Sequence, residues 1–185
     1  MAISGLELLR FWQTFYEIVG SAAAALTGLQ FVVIAVLAQS GRPGGRREVS
    51  AFGTPTVVNF CAALLIALFM SAPWPGLPQL EFCLTACAAF GLAYSIRVLY
   101  HARNATSYKP DAEDWVWYLV LPFLGYATLF SAGILLWMSQ VWALAVPAAV
   151  AVLFLVIGIH NAWDTLTYIV VDRPDNAPDP GARKE

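Results

Sequence analysis

His160 and Asp164 stand four residues apart in the run Gly158-Ile159-His160-Asn161-Ala162-Trp163-Asp164-Thr165-Leu166-Thr167-Tyr168. On a helix that spacing lets the two side chains touch on one face. A carboxylate beside an imidazole fixes its tautomer, which suits proton or ion handling or general-base chemistry. At about 100° per residue, Thr167, His160, Asp164, Tyr168, Asn161 and Thr165 gather on one arc. Ile159, Ala162, Trp163, Leu166, Ile169 and Val170 fill the other, and farther up the helix the polar arc gives way to Leu153, Val156 and Ile157.

The surroundings make such groups costly. The chain has 185 residues, 59% of them apolar and 12% charged, and its mean hydropathy is +0.67. A soluble domain is about 45–50% apolar and about 25% charged. A fold of this size has too little interior for so many apolar side chains, so lipid must be the solvent. A net charge of −2 offers no footprint for nucleic acid.

A membrane-crossing helix needs about 20 mostly apolar residues. Five runs qualify, at approximately 15–38, 55–72, 80–100, 115–137 and 141–171. The expected fold is all-α: a polytopic membrane helix bundle in one domain, residues 1–171, with a disordered cytoplasmic tail at 172–185. Arg42, Arg46 and Arg47 follow the first run. Arg97, Arg103 and Lys109 close the third, and Arg173, Arg183 and Lys184 follow the fifth, leaving Arg10 alone on the other side. Basic loops stay cytoplasmic, which predicts an outside N-terminus and a cytoplasmic C-terminus. Val36-Leu37-Ala38 resembles a signal-peptidase site, but the preceding run is too long and its flank is not net basic. Ser4-Gly5-Leu6-Glu7 fits a capping box. It opens either a short N-terminal interfacial helix or an extension of the first span.

Under this topology Gln30, Asn59, Arg97, His160, Asn161 and Asp164 fall in one cytoplasm-facing layer drawn from four helices. Ionisable groups in a bilayer pair with one another or face water. Arg97 is either the countercharge of Asp164 or a cation that snorkels to the head groups. Elsewhere, Gly20, Ala24 and Gly28 form a small-residue stripe suited to close helix packing, and Ala86, Ala89 and Ala93 form a second. Pro122 and Pro147 predict kinks. Cys61, Cys83 and Cys87 read as small buried apolar residues, so neither a metal nor a cofactor is expected.

The run from Phe15 through Gly20, Ala24 and Gly28 to Val32 resembles the opening of small bacterial multipass proteins, some labelled "modulator of FtsH protease". That resemblance implies a bacterial inner-membrane protein and carries over no site residue. Three functions follow as expectations. The first is a non-enzymatic helper that binds other membrane proteins or itself through small-residue stripes. The second is a small channel or proton-linked transporter built on the His160/Asp164 cluster. The third, an intramembrane lipid-directed enzyme, is the weakest, because no nucleophile or metal-ligand motif accompanies His160.

Overall fold

The computed structural model describes residues 5–39, 54–104 and 112–167. Helix α1 covers Gly5–Gln39, α2 Thr54–Ser71 and α3 Leu77–Asn104. A short α4, Ala112–Trp115, passes through a π-helical turn at Val116–Val120 into α5, Leu121–Trp137. A 3-10 turn at Val141–Ala145 then leads into α6, Val146–Thr167. No strand occurs among the described residues. Five stretches are long and apolar enough to cross a membrane: Gly5–Val36, Thr54–Ser71, Leu77–Tyr100, Val116–Trp137 and Val141–Thr167. The tail at 172–185, the end of the fifth predicted span, the basic loop residues after α1 and α6, and Ser4 lie outside the described residues.

The first span differs from expectation. Gly5–Gln39 is one unbroken helix, so its opening turns run into the first span without a break. No proline interrupts it, and Leu9, Tyr16, Val19 and Ala23 make a continuous buried stripe down its length.

Helix α2 packs between α1 and α6, α6 packs between α2 and α5, and α3 lies against α5. The core between them holds Phe60, Ile66, Leu80, Leu84, Leu129, Leu144, Phe154 and Ile157, all essentially inaccessible. Lipid tails are as apolar as these side chains, so association rests on close van der Waals fit. Three glycines make that fit. The Phe60 ring occupies the space a Cβ on Gly158 would need, Tyr126 does the same at Gly91, and Thr85 at Gly133.

The packed small residues are therefore not the ones the spacing suggests. Gly20 does meet α2, where an added Cβ would lie 3.2 Å from that of Ala67. Ala24 is exposed, and nothing lies within 4 Å of a Cβ placed on Gly28. Helix α1 turns Tyr16, Val19 and Ala23 inward instead, because contact with α2 follows that face. On α3 the buried line is Leu84, Ala88, Gly91 and Ser95, while Ala86, Ala89 and Ala93 point outward.

Neither predicted proline kink falls within a regular helix. Pro122 and Pro147 are each the second residue of an α-helix, where a missing N–H costs little. The irregularity lies just ahead, as a π turn before Pro122 and a 3-10 turn before Pro147. Between the two, Ser139 takes a left-handed conformation with φ 61°. Its N–H bonds to the Leu136 carbonyl at 2.7 Å, and that of Gln140 to the Leu135 carbonyl at 2.9 Å. This is a Schellman stop with serine where glycine is usual.

Two substitutions test this packing by thermal unfolding in detergent. Ser139→Gly removes the left-handed strain and is expected to stabilise by about 1 kcal/mol. Gly158→Val drives a side chain into Phe60 and is expected to destabilise by about 1–3 kcal/mol. Equal melting temperatures for the parent and the valine variant would show that the α2–α6 approach is not tight.

Candidate functional site

The buried polar side chains lie toward one end of the bundle. Successive spans alternate in direction, so the start of α2, the end of α3, the π turn and the end of α6 meet there. The Gly158–Phe60 contact sets the register of α2 against α6. One turn nearer the polar end lie Thr56 on α2 and Asn161 on α6, both fully buried. Gly91 against Tyr126 likewise sets Ser95 of α3 level with Pro122 of α5, one turn nearer the polar end. Gln30 and Asn59 are buried as well. Of the six residues expected in one layer, Gln30, Asn59 and Asn161 are thus buried, His160 is half-buried, and Arg97 and Asp164 are exposed.

The π turn shapes the centre of this layer. The Leu121 N–H bonds five residues back, to the Val116 carbonyl. Pro122 has no N–H, so the Trp117 carbonyl receives neither the four-back nor the five-back donor. The extra residue in that turn widens the helix and directs two aromatic side chains at α6. The Trp117 ring stacks on His160, with centroids 3.8 Å apart and planes 7° from parallel. The Tyr118 hydroxyl donates to the Asn161 carbonyl at 3.4 Å. That carbonyl also accepts from the Thr165 hydroxyl at 2.7 Å.

The imidazole has found a different carboxylate from the one its spacing suggests. His160 Nε2 lies 3.7 Å from Glu113 Oε1, a separation for charge attraction and too long for a hydrogen bond. Glu113 is 74% exposed, so solvent reaches this contact. Among the described residues no ion pair joins Asp164 to His160 or to Arg97. Both Asp164 and Arg97 are exposed. Arg97 belongs to α3, which packs on α5, and Asp164 to α6, so the two helices present them to different surroundings. His160 turns toward the π turn because a flat ring meets it there, and an exposed aspartate offers less.

Burial leaves several polar atoms alone. Asn161 is 0% exposed, yet both its side-chain amide atoms lack a protein partner, as does Nδ1 of His160. Asn59 lines a small cavity with Pro55, Tyr94, Ser95, Val98, Tyr118, Pro122 and Tyr126. Beyond Tyr126 the cavity meets Phe154, whose ring centroid is 4.6 Å away, and then Leu129 and Leu84, both fully buried. Fully buried apolar side chains thus close the cavity on its Tyr126 side. Among the described residues no group of His, Cys, Asp and Glu is arranged to hold a metal ion.

Sequence reasoning did not find Glu113, Trp117 or Tyr118. Their signal was Pro122, which breaks helical register within an apolar run and reorients the aromatic turn before it. No protein-family model, curated protein or solved structure matches the chain.

A double-mutant cycle over Trp117→Leu and His160→Leu, read by detergent unfolding, is expected to give a coupling of about 0.5–1.5 kcal/mol. Glu113→Gln is expected to cost less than about 1 kcal/mol, because its carboxylate is solvated. Strict additivity of the two ring substitutions would remove the stack as a stabilising contact.

Proposed function

We propose that the protein is a non-enzymatic helper of the bacterial inner membrane that docks on other membrane proteins, or on a second copy, through α1. Its N-terminus would lie outside and its C-terminus in the cytoplasm, as the distribution of basic residues implies. The observation that carries this reading is the open face of α1. Ser21, Ala24, Ala25 and Gly28 recur at helical spacing, all are exposed, and nothing approaches Gly28. A small-residue face lets a second helix come close, where dispersion replaces the missing hydrophobic drive. The buried apolar side chains that close the cavity on its Tyr126 side and the absence of a nucleophile beside His160 in sequence favour a helper over a transporter or an enzyme.

Because none of the described residues lies within 4 Å of a Cβ placed on Gly28, Gly28→Leu separates association from folding. The variant is expected to keep the parent melting temperature while losing cross-linked complexes in native membranes and in purified detergent samples. If cross-linked partners and oligomeric state are unchanged, the α1 face is not the docking surface.

One observation favours proton-linked transport as the second reading. His160 sits between a solvated carboxylate and the layer's interior with Nδ1 unpartnered. In proteoliposomes that reading expects a pH-driven flux that His160→Ala abolishes and Asp164→Asn weakens. Absence of flux from the parent protein sets it aside.

A further inference from the structure

The cavity at the polar end has the chemistry of a binding site. Its walls come from four segments: Pro55 and Asn59 of α2, Tyr94, Ser95 and Val98 of α3, Tyr118 of the π turn, and Pro122 and Tyr126 of α5. Asn59 is only 3% exposed, and its side chain lines this space. A primary amide carries two donors and an acceptor, and burying them unmatched in an apolar bundle is strongly unfavourable. Ser95 lines the same space, and its hydroxyl already donates to the Gly91 carbonyl at 2.9 Å. Its proton is therefore committed, and its lone pairs remain to accept. The walls thus present an amide that both gives and takes, and Ser95 and Tyr118 oxygens whose protons are committed elsewhere and can only accept.

No ionised side chain lines the space, so a charged occupant would be left uncompensated there. The free volume is about 10 Å³, close to the room one water oxygen requires. The matching ligand is small, neutral and able to donate and accept at once.

We propose that this cavity is a hydroxyl-binding site, holding either a water molecule or a glycerol hydroxyl from a phosphatidylglycerol head group between Asn59 and Ser95. The π turn is what keeps it open. It sets Tyr118 against Asn161 on the α6 side, so the cavity edge joins the same network that carries the unpartnered Asn161 amide. Phe154, packed on Tyr126, closes the site toward the far side. The occupant enters from the polar end and does not pass through.

Two tyrosines supply an internal comparison. Tyr126 and Tyr16 are 3% and 1% exposed, but only Tyr126 lines the cavity. X-ray hydroxyl-radical footprinting of the full chain in phosphatidylcholine nanodiscs modifies side chains beside bound water. Tyr126 is expected to be modified several-fold faster than Tyr16. Asn59→Leu, which fills the space and removes the amide, is expected to bring Tyr126 down to the Tyr16 rate, and Asn59→Ala to leave it fast. Val98→Leu intrudes from the apolar side and serves if the Asn59 variants do not fold. Repeating the experiment in phosphatidylglycerol nanodiscs identifies the source. An unchanged rate assigns water, and a rate lowered at Tyr126 alone assigns the lipid hydroxyl. Equal modification of Tyr126 and Tyr16 in phosphatidylcholine, or no response to either filling substitution, overturns the site.

Discussion

The α2–α6 crossing joins the α1 side of the bundle to the α5 and α3 side, and that crossing depends on a missing side chain. With Phe60 seated on the bare backbone of Gly158, the two helices approach closely enough for an aromatic ring to fill the space between them. Helix α1 holds to the far side of α2, α5 to the far side of α6, and α3 to α5. In lipid, apolar area gains nothing by being covered with apolar area of another kind. Fit decides instead, and the same device recurs wherever α3 meets α5, at Gly91 under Tyr126 and Gly133 against Thr85.

Polarity follows the opposite economy. A polar group inside the apolar bundle needs a partner, and the bundle confines nearly all such groups to one end, where four segments converge. Two proline-linked irregularities make the helices deviate from simple rods. The turn before Pro122 matters more, because it adds a residue to one helical revolution and redirects Trp117 and Tyr118 onto α6. A regular helix at that point would carry those rings to other faces. The polar layer is therefore built by a local shift in hydrogen-bond register, and the residues it gathers are far apart in sequence.

This difference explains what could be read from the chain. Five long apolar runs, separated by polar or proline-rich joints, translate into five helices with little ambiguity, because length and hydropathy are properties of each segment alone. Which face a helix turns inward is a property of pairs. Ala24 and Gly28 satisfy the small-residue spacing as well as Gly20 does, yet only Gly20 meets α2. Local spacing also favoured Asp164 as the companion of His160. The imidazole meets Glu113 and Trp117 across helices, and only the register change before Pro122 makes that choice intelligible.

Helix α1 has one consequence that its packing alone does not express. At 35 residues it measures about 52 Å along its axis, against a hydrocarbon slab of about 30 Å. Such an excess is absorbed by leaning or by pushing an end into the head groups. The other four spans brace one another, whereas α1 rests chiefly on α2. The stripe from Leu9 to Ala23 that α1 buries, chiefly against α2, ties any such lean to the second span as well.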